Sequence, residues 1–370
     1  MSSLSNDHLP GQDIPVPGTL DELLSPAWLS LALGGEFPGI SVTTVTRGPV
    51  VSRVSMNLRF RIECAGGLPE GLPPDLCAKC YFNEAGWPGR RTGIIEASFY
   101  RDLAPRTGIR TLRSRYTGVH PESGHGIIIT EDVIAQGGTF LDATSPYTPD
   151  QAAQSLSQLA LLHAATWGDP AARTAPWLGP RLESRTVHRG IREIRANFDS
   201  DDLGPGVPAE VRDAERLYTA FCDLAAAMRD AQPWTVVHGD AHIGNFYLDG
   251  AGLPSLLDWQ LVHRGPWYLD VGYHIASALT VADRRAHERD LVRHYLDELA
   301  AASGTRGPSV EPGPDDVRLG LRLGILYGFY HWGITEKVDR PITGALLHRL
   351  GTAAADHDAL NAVADARAGG

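Results

Sequence analysis

The segment "VVHGDAHIGN" (236–245) places two histidines, an aspartate and an asparagine within eight positions. His238, Asp240 and His242 have the ligand types of a zinc site, as in a metal-dependent hydrolase. His238, Asp240 and Asn245 also reproduce the spacing H-x-D-x-x-x-x-N of phosphoryl-transfer loops. In such loops the aspartate orients the acceptor hydroxyl and the asparagine holds Mg²⁺. The segment alone is compatible with both, so the rest of the chain has to decide.

A β-hairpin is predicted directly after this segment. Two short apolar runs flank the turn-rich linker "DGAGLP" (249–254), which is the pattern of two strands joined by a tight turn. With its turn centred between Ala251 and Gly252, the hairpin would pair Asn245 with Asp258. An amide oxygen and a carboxylate side by side are hard oxygen ligands of the kind that Mg²⁺ prefers. The hairpin therefore favours the phosphoryl-transfer interpretation.

The first third of the chain predicts an antiparallel sheet. In "SRVSMNLRFRIEC" (52–64) the even positions from Val54 to Cys64 are apolar and the odd ones polar, which indicates a half-buried strand. "ISVTTVTRGP" (40–49) predicts a strand ending at a Gly-Pro turn, and "LCAKCYF" (76–82) a strand buried on both faces. A helix over "GIIEASFYRDLA" (93–104) and a strand in "HGIIITEDV" (125–133) complete this part.

The remainder of the chain is predicted to be mostly helical. These observations predict an α+β fold, with a small antiparallel β-rich N-terminal part, residues 1–133, that starts with a helical segment at 19–34. A larger helical part follows over 134–370. Its predicted helices lie near 149–169, 208–230, 281–302, 315–333 and 341–365.

Composition excludes some classes of protein. The 370 residues carry a formal net charge of −11, which argues against nucleic acid or an anionic membrane as a main partner. The N-terminus lacks the positive flank and continuous apolar core of a signal peptide, so we expect a cytoplasmic protein. Cys77 and Cys80 form a C-x-x-C, but residues three apart on a strand face opposite sides and cannot chelate one ion.

With these residues in view, the chain resembles the aminoglycoside phosphotransferase and choline-kinase-like family of small-molecule kinases. The family signature H-G-D-x-H-x-x-N, followed by an aspartate ending a hairpin, is intact as His238 to Asn245 with Asp258. The resemblance implies a protein-kinase-like two-lobe fold and ATP-dependent transfer of the γ-phosphate to a hydroxyl of a small molecule. It implies Asp240 as the catalytic residue and Asn245 with Asp258 as ligands of Mg²⁺.

The N-terminal part supplies candidates for nucleotide binding. Lys79 lies mid-strand among apolar neighbours and needs a partner, for which Glu96 in the next helix is the natural choice. "TEDV" (130–133) resembles the family's hinge, which implies that the backbone of Glu131 and Val133 binds adenine. "TRGPVVSR" (46–53) has one glycine instead of a glycine-rich loop. The resemblance nevertheless implies that Gly48 through Ser52 covers the phosphates.

Several further residues have two interpretations each. His238 is expected to brace the loop, and Asp270 resembles a family aspartate that supports the loop from behind. His242 either faces an acceptor pocket or is satisfied locally, and His163 is expected to be a core residue. A set of aromatic residues either lines the acceptor pocket or forms plain core: Trp259, Trp267, Tyr268, Tyr273, Tyr327, Tyr330 and Trp332.

Two alternatives to a small-molecule kinase remain open. One is a zinc-dependent hydrolase that uses His238, Asp240 and His242. The other is a kinase-shaped binding protein without turnover. For the leading prediction we expect a monomer or homodimer acting on a hydroxylated small molecule. The acceptor stays open among aminoglycosides, choline-like amines, sugars, sterols and polyketides.

Overall fold

The computed structural model describes residues 14–83, 90–120, 123–179, 182, 190–229, 231–304 and 313–368. The chain divides into two compact units. The first comprises Met1–Pro105 and Leu112–Gly137, and the second comprises Arg106–Thr111 and Gly138–Gly370.

The first unit is built on a five-stranded antiparallel sheet with the strand order β1-β2-β3-β5-β4. Leu58, Phe60 and Ile62, three of the predicted core positions of the second strand, are almost completely buried. They share a core with Trp28 and Leu29 of the second helix. The elements are α1 (Leu20–Leu23), α2 (Pro26–Gly34), β1 (Val42–Ser52), β2 (Met56–Cys64), β3 (Asp75–Cys80), α3 (Arg90–Asp102), β4 (Ser114–Val119) and β5 (Gly126–Glu131).

Two local predictions for this unit were wrong, and one strand was missed. Gly48 and Pro49 do not form a turn, because β1 continues to Ser52. They lie within the strand, where the pairing register with β2 shifts between Arg47 and Val50. Strand β3 is not buried on both faces, because the face that carries Cys77 and Lys79 is only partly covered. Strand β4 was not predicted.

The second unit is mostly helical. A short helix, α4 (Ala104–Thr107), spans the division at Pro105. The described part of this unit contains five short strands. In chain order, the first, third and fourth form a three-stranded sheet, and the second and fifth form a two-stranded sheet. The helices are α5 (Pro149–Thr166), α6 (Pro170–Thr174), α7 (Ile191–Phe198), α8 (Ala214–Met228), α9 (Tyr268–Ala278), α10 (Val281–Ser303), α11 (Pro314–Gly333), α12 (Arg340–Asp356) and α13 (Ala362–Ala368), and the strands are β6 (Thr139–Phe140), β7 (Thr235–Val237), β8 (Phe246–Leu248), β9 (Pro254–Leu256) and β10 (His263–Gly265).

The predicted α+β class with an antiparallel N-terminal sheet is confirmed. The predicted helix over 341–365 is interrupted, because α12 ends at Asp356 and Asp358 adopts a left-handed conformation with φ of 49°. No helix among the described residues is long and apolar enough to cross a membrane.

The register of the β8–β9 hairpin differs by one residue from the prediction. Phe246 pairs with Leu256, and the Leu257 amide donates to the Asn245 carbonyl at 3.0 Å. Asp258 therefore lies one residue beyond the partner of Asn245. The turn is centred on Ala251 because the Asp249 carboxylate accepts from the Ala251 and Leu253 amides, both at 2.9 Å.

Candidate active site

The loop His238–Asn245 begins where β7 ends, and Asp270 of α9 fixes its first residues. The Asp270 carboxylate is completely buried and accepts from the backbone N–H groups of His238 at 2.6 Å and Gly239 at 2.9 Å. It also contacts Nε2 of His163 at 3.1 Å. Burial alone would raise the pKa of Asp270, but these hydrogen bonds hold it below its ordinary value. Asp270 is thus an ionised anchor beneath the loop.

His238 joins the loop to the end of the hairpin. Its side chain is fully buried, with Nε2 at 2.9 Å from the Leu257 carbonyl, and its Nδ1 accepts from the Asp240 amide at 3.3 Å. Both ring nitrogens are therefore occupied by protein groups, as expected for a brace. For the same reason the structure does not bring His238, Asp240 and His242 together as a zinc site.

Asp240 is held by a chain of hydrogen bonds from two helices. The Tyr273 hydroxyl of α9 donates to Asp240 Oδ1 at 3.1 Å, and it accepts from Nε1 of Trp332 of α11 at 2.7 Å. Burial first, and the Asp240 carboxylate second, raise the pKa of Tyr273 well above its ordinary value. Tyr273 therefore remains a phenol that donates to Asp240, and the carboxylate has a defined orientation.

His242 has two neighbours in the loop. Its Nδ1 accepts from the Gly244 amide at 3.1 Å, and its Nε2 lies 3.8 Å from Asp240 Oδ2. Burial lowers the pKa of His242, against the opposing influence of Asp240. His242 also lines the cavity beside Asp240, so it is satisfied locally and faces the cavity.

That cavity has a volume of about 220 Å³ and contains the Asp240 carboxylate in its wall. The part of its wall that the structure describes is aromatic and apolar apart from Asp240, two histidines and one threonine. Of the predicted aromatic set it includes Tyr273 and Trp332, whereas Tyr327 and Tyr330 are fully buried core. The lining residues are Asp240, His242, Leu261, Tyr273, His331, Trp332, Ile334, Thr335 and Val338.

Asn245 and Asp258 have the donor chemistry for Mg²⁺. The Asn245 Nδ2 group donates to the Asp240 carbonyl at 2.7 Å, so the amide nitrogen is engaged and its oxygen is the group left for a cation. Asp258 follows the hairpin in a left-handed conformation, with φ of 63° and ψ of 61°. A non-glycine residue in this region costs about 1 kcal/mol or more, and such strain is concentrated at functional sites. Among the described residues, no three His, Cys, Asp or Glu side chains are grouped as metal ligands.

In the first unit, Lys79 and Glu96 form the predicted ion pair. Lys79 Nζ lies 2.7 Å from Glu96 Oε2, and their side chains are 15% and 2% exposed. The pair joins strand β3 to helix α3. A lysine held in this way presents a fixed cation, which is what binding of a nucleotide phosphate requires.

The remaining predicted nucleotide residues are partly engaged in structural contacts. Gly48 lies in β1 so close to β2 that a Cβ atom would approach the Arg59 carbonyl oxygen to 2.8 Å. The Ser52 hydroxyl accepts from Asn83 Nδ2 at 3.0 Å. Glu131 pairs through its carboxylate with Arg115, and the Val133 carbonyl accepts from the Gln136 amide at 3.2 Å.

Sequence reasoning missed two residues around Asp240. His331 lines the cavity, with Nδ1 at 3.9 Å from Asp240 Oδ1. Gly239 has φ of 77°, and a Cβ atom there would lie 2.4 Å from the Leu261 carbonyl oxygen. The glycine within the H-G-D motif could have indicated this conformation, whereas His331 lies in a helix with no local signal.

The profile of the phosphotransferase enzyme family (APH) matches residues 99–308, more than half of the chain. The chain belongs to this family.

Solved structures with low sequence identity are similar to the chain over most of its length. A protein from Ralstonia eutropha, proposed to be an aminoglycoside phosphotransferase, is 16% identical with a TM-score of 0.50, over 92% of this chain and 97% of that one. Choline kinase LicA from Streptococcus pneumoniae is 12% identical with a TM-score of 0.46, over 91% and 98%. Macrolide 2'-phosphotransferase MphH from Brachybacterium faecium is 16% identical with a TM-score of 0.45, over 93% and 98%. The similarity to the Ralstonia protein shows the fold alone.

Proposed function

We propose that the protein transfers the γ-phosphate of ATP to a hydroxyl group of a small molecule in the presence of Mg²⁺. The observation that carries the proposal is the Asp240 carboxylate, oriented by Tyr273 in the wall of a small cavity. An oriented carboxylate of this kind can hold an acceptor hydroxyl by a hydrogen bond and take its proton as the new P–O bond forms.

The other residues of the proposal have distinct roles. Asn245 and Asp258 would hold Mg²⁺, which supplies positive charge that neutralises the phosphates during transfer. Lys79, positioned by Glu96, binds nucleotide phosphate. The backbone of Glu131 and Val133 and the segment from Gly48 to Ser52 are proposed to complete nucleotide binding.

The cavity wall favours an uncharged acceptor. Asp240 is the single carboxylate among the described residues that line it, and Leu261, Ile334 and Val338 add apolar surface. A polycationic aminoglycoside needs several carboxylates to offset the desolvation of its ammonium groups. We therefore propose an alcohol whose hydroxyl lies on an uncharged, partly apolar part of the molecule.

The test combines an acceptor screen with one substitution. ADP release from ATP and Mg²⁺ is measured across aminoglycosides, choline-like amines, and neutral alcohols such as sugars, sterols and polyketides. We expect turnover with a member of the neutral set, and Asp240→Asn to abolish it while ATP binding by calorimetry is retained. Equal turnover by the Asp240→Asn variant would refute the catalytic role. Stoichiometric zinc in the purified protein would favour a hydrolase instead.

A further inference from the structure

A second cavity, of about 570 Å³, lies in the helical unit at the end of α8, beside β10. Its described lining carries three arginines and no carboxylate, in a chain whose formal net charge is −11. Its lining includes Arg173, Met228, Arg229, Gln232, Trp234 and Arg264.

Two of these arginines differ from most of the other arginines of this unit. Elsewhere in the unit a guanidinium group is typically paired with a carboxylate, as in Arg340 with Asp202. Within the described parts of the chain, Arg173 and Arg264 form no ion pair. Both are therefore available to an anion that enters the cavity.

Arg264 is further set up for an anion by its surroundings. Its guanidinium group lies over the Trp234 ring, 5.5 Å from the ring centroid, which removes water from one face. Its Nε atom is buried and makes no hydrogen bond to the described residues. A buried charged donor without an acceptor is unfavourable. An oxyanion in the cavity would form charge-assisted hydrogen bonds with this guanidinium group.

The cavity also has a defined relation to the catalytic loop. Strands β7 and β10 pair antiparallel, with Val236 opposite Arg264. At one end of this strand pair, Trp234 and Gly265 line the cavity. At the other end, β7 continues into His238, the first residue of the catalytic loop. An occupant would therefore stabilise the two strands that carry the loop.

We infer that this cavity binds a phosphate-bearing small molecule. Arginine guanidinium groups match the oxygens of a phosphate in pairs and remain charged at any physiological pH. The volume lies within the range of about 300–1,000 Å³ of small-molecule sites and exceeds what a single phosphate fills. Two or more phosphate groups, or one phosphate on a larger body, match both the charge and the space. The inference is independent of the proposed transfer reaction.

The test is calorimetric titration of the full chain with sodium pyrophosphate in EDTA and low salt. We expect saturable one-site binding, weakened at least about tenfold by Arg264→Gln and by Arg173→Gln. Arg293→Gln serves as the matched control, since Arg293 is 60% exposed and pairs with Asp290. The double variant Lys79→Met, Glu96→Gln removes the proposed nucleotide cation, and binding should persist in it.

Two results would overturn the inference. One is the absence of saturable binding up to millimolar pyrophosphate. The other is unchanged affinity when Arg264 and Arg173 are replaced together, which would place the anion elsewhere. If Arg264→Gln does not fold, the affinity of Arg173→Gln for pyrophosphate decides whether the anion binds in this cavity. Arg173 is exposed, so its replacement removes a charge without disturbing the hydrophobic core.

Discussion

Replacing Asp270 by asparagine tests whether the buried carboxylate holds the catalytic loop in place. In the structure one oxygen, Oδ2, accepts from the His238 amide and contacts His163 Nε2, while Oδ1 accepts from the Gly239 amide. Asparagine has nearly the same shape but only one acceptor oxygen. If that oxygen keeps the Oδ2 contacts, its NH₂ group points at the Gly239 N–H, and two donors face each other.

The cost follows from the bonds that change. Losing one hydrogen bond to a charged acceptor costs about 1.5–3 kcal/mol, and leaving the buried Gly239 N–H without an acceptor costs about 1–3 kcal/mol more. The free energy of unfolding should therefore fall by about 2.5–6 kcal/mol. Because Gly239 and Asp240 are adjacent, the loop should also lose its fixed geometry, and kcat should fall at least about tenfold.

The assay is denaturant unfolding followed by far-UV circular dichroism. Asp290→Asn is the matched control, because Asp290 is 73% exposed and bonds only to Arg293 among the described partners. An exposed pair of this kind contributes about 0.5 kcal/mol or less. The reasoning is refuted if Asp270→Asn unfolds within about 1 kcal/mol of the wild type, since the lost bond alone exceeds that.

Three further predictions concern the site and its supports. Lys79→Met should remove the cation that lies 2.7 Å from the buried Glu96 carboxylate and lower the free energy of unfolding by about 1.5–3 kcal/mol. The double variant Lys79→Met, Glu96→Gln should regain part of that stability but not ATP affinity, as calorimetry would show. Gly239→Ala should abolish turnover, because an alanine is strained at a φ of 77° and its Cβ atom would lie 2.4 Å from the Leu261 carbonyl oxygen, so the loop has to shift. Activity above about a tenth of the wild-type value would contradict this reasoning. Burial lowers the pKa of His274 to about 4, so the folded protein loses stability as the pH falls from about 6.5, the pKa in the unfolded chain, toward 4. Between pH 7 and pH 4.5 the free energy of unfolding should therefore drop less in His274→Asn than in the wild type, by about 2 kcal/mol. An equal drop in both proteins would contradict this prediction.

The sequence predicted those parts of the molecule that local chemistry determines. The alternation in residues 52–64 placed Leu58, Phe60 and Ile62 in the core correctly. The hairpin after Asn245 was recognised but misplaced by one residue. Turn-forming residues show that a turn exists, whereas its length depends on which backbone groups the side chains bond. Here Asp249 accepts from the Leu253 amide and closes a three-residue turn with Gly252 at φ of 81°.

The hydrogen-bond chain that orients Asp240 could not be predicted, because it depends on how closely two helices approach. Tyr273 and Trp332 lie on α9 and α11, 59 positions apart in the sequence. A Cβ atom on Gly324 would lie 2.1 Å from the Tyr268 carbonyl oxygen, and one on Gly328 would lie 2.3 Å from the Tyr273 ring. These glycines let α9 contact α11 closely enough for the Tyr273 hydroxyl to meet Trp332 and reach Asp240. The sequence predicted a helix near 315–333, but the identity of its partner helix, and hence the orientation of Asp240, depends on packing between distant parts of the chain.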